Sequence, residues 1–186
     1  MQKAILALRG LQFVFSVVVL GLAVTLIKGQ VYGSSPTTTK YSSFTGAFGI
    51  IVAGFGAAAA FFFDSTSWIS GKTVLVMGLD AVSGLLFLAG GIAWAVALKD
   101  TQGCSADSSV LLLNDFINQG RTEDNQFGVI PDGERDAKTI EGRLKSNCEK
   151  AIADQSIQFV SFAICIVLLG LGFWNWRRVR KGGSYV

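Results

Sequence analysis

The sequence predicts an all-α integral membrane protein, a bundle of four transmembrane helices with a long second extracellular loop. Three observations lead to it. Of the 186 residues, 51% are apolar and only 16% charged, against about 25% charged in soluble domains. The apolar residues gather in four blocks, 4–27, 41–63, 73–98 and 154–176. At about 1.5 Å per residue, each is long enough to cross a hydrocarbon core of about 30 Å. Within the second block, residues 46–63 hold no charge and no side-chain amide, so a soluble bundle would find no polar face there.

The first block is interrupted by Arg9, Gln12, Ser16 and Thr25. Its apolar run of residues 11–27 is longer than the roughly 7–15 residues of a cleaved signal sequence and precedes no good A-x-A site, so a retained signal-anchor helix is expected. The second block carries a small-residue seam, Gly49, Ala53 and Ala57, and the third carries Ala89, Ala93 and Ala97 with Gly84 and Gly91 nearby. Lipid offers no hydrophobic force between helices, so small residues permit the close contact that holds them. Two uses of these seams stay open: packing within the bundle, or a face for a second copy or partner. The loop 99–153 holds 7 Lys/Arg and 10 Asp/Glu. Within it, residues 110–113 with Phe116 and Ile117 suggest a short amphipathic helix, and Asp132-Gly133 after Pro131 a turn. Residues 134–150 alternate in charge and suggest a helix leading into the fourth block. One domain is expected over residues 1–181, ending in a basic tail, 177–186.

Orientation follows from the cations. Lys3, Arg9, Lys72, Arg177, Arg178, Arg180 and Lys181 fall on one side, whereas the other receives Lys28, Lys40 and the mixed loop. The positive-inside rule therefore puts both termini in the cytosol. Tyr32, Tyr41 and Trp94 are expected as anchors at the outer boundary, and Trp68, Trp174 and Trp176 at the inner one. Trp174 and Trp176, with Arg177, Arg178, Arg180 and Lys181, form a candidate contact for anionic lipid headgroups. Cys104 and Cys148 lie near the two ends of the outer loop, where they can oxidise to a disulfide; Cys165 is expected to pack as a small apolar residue. Arg9 and Asp80 lie about 7 and 10 Å from the cytosolic ends of their blocks, and an intramembrane carboxylate usually has a partner. They form a candidate ion pair if spans one and three are neighbours. Arg9 reaching to the headgroups and a protonated Asp80 are the competing arrangements.

Several chemistries lose support. The chain has no His, which removes imidazole bases, His-paired nucleophiles and His metal ligands. Its three Cys form no CxxC. Gly71-Lys72-Thr73 resembles the end of a Walker A loop, but Thr66 stands where the motif requires Gly. The carboxylates of the outer loop lack calcium-loop spacing and read as a solvated face. There is no Asn-x-Ser/Thr sequon and no nucleic-acid module. The terminal Ser184-Tyr185-Val186 fits a PDZ-type ligand only loosely. No enzyme, metal or cofactor is expected, and bound membrane lipid or sterol stays open.

The pattern also resembles a known family. Residues 8–15 (Leu-Arg-Gly-Leu-Gln-Phe-Val-Phe), residues 79–93 beginning Leu-Asp-Ala-Val-Ser-Gly, and residues 147–151 (Asn-Cys-Glu-Lys-Ala) are similar to MARVEL-domain tetraspans, in particular the fungal, non-classical-export type. The resemblance covers most of the chain, although the loop is longer than in many members. It implies a non-enzymatic scaffold of the plasma membrane, also found in secretory vesicles, that organises sterol- and sphingolipid-rich patches or takes part in traffic. Membrane lipids, a second copy or a larger membrane protein are the partners it leaves open. Two other roles compete: accessory subunit of a larger membrane enzyme or transporter, and small channel or transporter. A channel needs polar groups at every depth, and between Arg9, Gln12 and Asp80 at one end and Asp154, Gln155 and Gln158 at the other there is little beyond Ser16 and Ser83.

Overall fold

Helices that bury polar groups and expose apolar ones suit lipid rather than water, and this is how the chain is built. The computed structural model describes residues 2–62, 69–122, 126–130 and 136–182. Trp68, the turn at Asp132-Gly133, the Ser184-Tyr185-Val186 terminus and the side chains of Lys72, Arg180 and Lys181 lie outside what it describes. Four long helices, α1 (Gln2–Lys28), α2 (Thr37–Phe62), α3 (Ile69–Ala97) and α5 (Ala137–Gly182), are joined by short segments, a 3-10 turn (Gln102–Cys104) and α4 (Ser108–Leu112). All four are long and apolar enough to cross a membrane. Leu11, Val14 and Val17 of α1, Phe44, Ile51 and Phe55 of α2, Leu85 and Val96 of α3, and Ile166 and Val167 of α5 all face outward.

Helices α2 and α3 each begin four residues before the apolar blocks at 41 and 73. Hydropathy detects the membrane-embedded stretch, whereas the backbone ladder continues into polar sequence such as Thr37-Thr38-Thr39-Lys40. Helix α5 has 46 residues, about 69 Å at 1.5 Å per residue, more than twice the hydrocarbon thickness. Its first third therefore projects beyond the lipid. Asp136 starts it, accepting the Lys138 amide at 3.2 Å and the Thr139 hydroxyl at 2.6 Å. Those bonds, the Thr139 hydroxyl first, hold its carboxyl below the usual range.

The helices close a ring: α1 packs on α2 and α5, and α3 packs on α2 and α5, leaving α1 and α3 on a diagonal. The α1 and α2 backbones come close at Gly46, where a Cβ would stand 2.7 Å from the backbone nitrogen of Leu20. Gly46→Val should therefore push the helices apart and cost about 1–3 kcal/mol by overpacking. Thermal unfolding in detergent should show the loss, with Gly54→Val, at a position with open space around it, as an unaffected control.

Above the ring, the loop folds into a cap with its own core. Trp94, Leu98, Cys104, Leu111, Ile117, Val129, Leu144, Cys148 and Ala151 form one buried cluster. Residues 110–117 accordingly pack on the top of the bundle through Leu111 and Ile117, while Val110 and Leu113 stay exposed. Irregular backbone needs partners, and asparagines supply them. Asn114 Nδ2 reaches the Ala97 carbonyl, Asn118 Nδ2 that of Leu112 and Asn147 Nδ2 that of Ile117, at 2.9–3.0 Å. The amides of Val31 and Tyr32 both donate to the Gln119 carbonyl, tying the first loop to the second. Gly120 is required there: its φ is +93° and the Tyr32 carbonyl occupies the place of a Cβ.

Candidate functional site

The bundle interior carries two polar clusters, one near each end. The first gathers on Arg9, which is 3% exposed. Its guanidinium grips Asp80 in a fork, Nη1 on Oδ1 and Nη2 on Oδ2, the latter at 2.6 Å. Nη1 also donates to Gln12 Oε1 at 2.9 Å, and Gln12 Nε2 points at Cys165 Sγ at 3.4 Å. Cys165 is therefore a weak acceptor as well as a packing residue. The geometry corrects one premise: α1 and α3 are not neighbours. The pair spans the diagonal, which a long Arg can bridge because Gly56 of α2 lies against its guanidinium, where any Cβ would collide.

The second cluster was not legible as a unit in the sequence. Asp154 and Gln158 of α5 meet Ser42 of α2, all fully buried. Ser42 Oγ donates to Asp154 Oδ2 and accepts from Gln158 Nε2 at 2.9 Å. Trp94 flanks the carboxyl from α3. It is completely buried, with its ring 5.6 Å from that of Phe116, and so is not the boundary anchor its position suggests. The cap folds over it and takes the place of lipid. Between the clusters Ser16, Thr45, Ser83 and Ser161 are buried too, but Val19, Phe87 and Cys165 form an apolar plug.

The remaining sequence-derived residues fall into three groups. Cys104 and Cys148 are bonded, their Cα atoms 5.8 Å apart. Gly49 faces Ser16 and Phe87, Gly84 faces Cys165 and Phe162, and Gly91 faces Phe159; Ala53 is buried and Ala57 half-buried. These parts of the seams serve packing within the bundle. At the far end of α5, Arg177 lies over the Phe173 ring and Arg178 over the Trp174 ring, each 5.2 Å from the centroid. Trp174 is exposed and Trp176 half-buried, while Arg180 and Lys181 continue the same helix.

Residues 3–171 match the MARVEL membrane-associating domain. The chain belongs to the MARVEL family. Neither a curated protein nor a solved structure matches it. The match includes nearly all of α1, all of α2 and α3, the cap and most of α5, so both polar clusters lie inside the MARVEL domain, whereas residues 172–186, with Trp174, Trp176 and the basic tail, fall beyond it. Among the described residues of this MARVEL chain, no group of three Cys, Asp or Glu could hold a metal.

Proposed function

We propose that this MARVEL protein is a non-enzymatic tetraspan scaffold that organises lateral domains of the plasma membrane rich in sterol and sphingolipid, with a part in vesicle traffic, as in the fungal, non-classical-export branch. One observation carries the reading: the polar groups turn inward and the outer wall is left to lipid. Arg9 is spent on Asp80 and Gln12, and the plug of Val19 and Phe87 weighs against a continuous pathway. What the bundle offers its surroundings is a shaped apolar surface, with Phe44 and Phe48 stacked 6.1 Å apart on α2. Such a surface sorts lipids by packing and length. In this reading the cap is extracellular and both termini are cytosolic, as the distribution of cations favours.

Lipids retained by the protein, extracted in native nanodiscs and measured by mass spectrometry, should be enriched in sterol and sphingolipid over the parent membrane. A lipid profile equal to the bulk would overturn the proposal. The tail gives a separate expectation. With Arg177, Arg178, Arg180 and Lys181 each contributing about 1 kcal/mol near an anionic surface, replacing all four by Gln should reduce phosphatidylserine enrichment roughly tenfold or more, in protein shown to keep its topology. An unchanged enrichment would leave the cluster only its role in setting topology.

A further inference from the structure

The carboxyl of Asp154 is fully buried, and among the described residues it has no cation within ion-pair distance; the pair formed there is Arg9 with Asp80. The charged groups at this end of the surrounding elements include Lys28 ending α1, Lys40 of α2, Lys99 and Asp100 after α3, and the exposed Glu149 with Lys150 about one turn earlier in α5. The first four are exposed and Lys150 is half-buried. Around the carboxyl the partners are neutral. Ser42 Oγ donates to Oδ2 and accepts from Gln158 Nε2, while Asp154 Oδ1 and Gln158 Oε1 have no hydrogen-bond partner. Ser161 Oγ, two turns along the same face of α5, is also buried without one. Trp94, whose buried indole N–H is likewise without a hydrogen-bond partner, lies beside the carboxyl as part of the cap's core.

A carboxylate shut into a low-dielectric interior needs a countercharge, and here the protein supplies none. We infer that the Asp154–Ser42–Gln158 cluster is a binding site for a single small positive charge, either a proton or an alkali ion, that locks α2 to α5 beneath the cap. A proton taken from a hydronium ion would form an O–H bond at the unpartnered Oδ1 as the hydronium O–H bond breaks, releasing water and leaving the carboxyl neutral. An alkali ion would take Oδ1 as its anionic ligand, an oxygen of the hard type such ions prefer; Gln158 Oε1 lies against the Gly90 backbone of α3. Either charge binds the folded bundle and not the separated helices, so it raises stability by mass action.

The test uses the full-length protein in nanodiscs, with unfolding followed through tryptophan fluorescence. At pH 8, replacing choline by sodium at constant ionic strength should raise Tm by about 2 °C or more if the site takes an alkali ion. If it takes a proton, sodium should do nothing, and moving from pH 8 to pH 6 in choline should raise Tm by a similar amount. Asp154→Asn should abolish whichever dependence the wild type shows. Ser42→Ala keeps the charge but removes the bridging hydroxyl; it should shift the midpoint of that dependence, and decides the matter if Asp154→Asn does not fold. A wild type insensitive to both ions, a dependence that survives in Asp154→Asn, or a midpoint unmoved in Ser42→Ala would each overturn the assignment.

Discussion

Arg9→Gln and Asp80→Asn should each destabilise the bundle by about 3–5 kcal/mol, the usual consequence of stranding one member of a buried ion pair. Both charges are almost entirely enclosed, so water cannot replace the lost partner. In Arg9→Gln the carboxylate loses both arms of its fork. In Asp80→Asn the guanidinium keeps only Gln12 Oε1, and its Nε has no partner even in the native bundle. The double variant removes both charges and should recover about 2–3 kcal/mol of the summed loss as coupling energy. The fork crosses the diagonal between α1 and α3, helices that otherwise hardly touch, so the loss should loosen the whole ring rather than one contact. Unfolding in mild detergent, with surface abundance as a cellular readout, would measure the cycle. Simple additivity of the two single losses would mean that Arg9 and Asp80 act independently.

How much of this was legible in the sequence depends on whether the signal is local. Apolar length is local, and the four spans are visible from it. The fork was reachable because Arg9 and Asp80 are rare residue types at matching depth, although the diagonal was not: ring order is a property of helix packing that hydropathy does not encode. The second cluster was harder. Ser42, Thr45 and Gly49 on α2, and Asp154, Gln158, Ser161 and Cys165 on α5, recur at three- and four-residue steps. Each set is a polar or small stripe along one helix face. Read as periodic stripes rather than as isolated interruptions, they point inward together. The register that sets Ser42 against Asp154 comes only from packing. Trp94 misled for a related reason: a tryptophan near a span's end is usually an anchor, and only the folded cap reveals that lipid never reaches it. The cap's asparagines are legible only afterwards, because their partners are carbonyls set by a chain path without periodicity.

Reducing the Cys104–Cys148 bond should open the cap while leaving the four spans in place. The bond closes a loop of 44 residues, for which chain entropy gives about 4 kcal/mol if the ends were otherwise free. They are not free, since Leu98 and Ala151 belong to the same core as the two cysteines and lie on or beside helices held by the bundle. The net effect should therefore be smaller, about 2–3 kcal/mol, and confined to the cap. Amide exchange over residues 102–122 should accelerate roughly 30- to 100-fold on reduction, whereas α1 and α2 keep their protection. Faster exchange throughout the bundle would mean that the cap and the ring unfold as one unit. Cys104→Ser with Cys148→Ser should reproduce the local effect without a reductant. The same bond also tests the orientation, because a disulfide persists outside the cytosol and not within it. In intact, unreduced cells both thiols should resist alkylation by a permeant reagent, and their peptides should be recovered joined. Free, quickly labelled thiols in otherwise folded protein would place the cap in the cytosol and reverse the topology proposed for the whole chain.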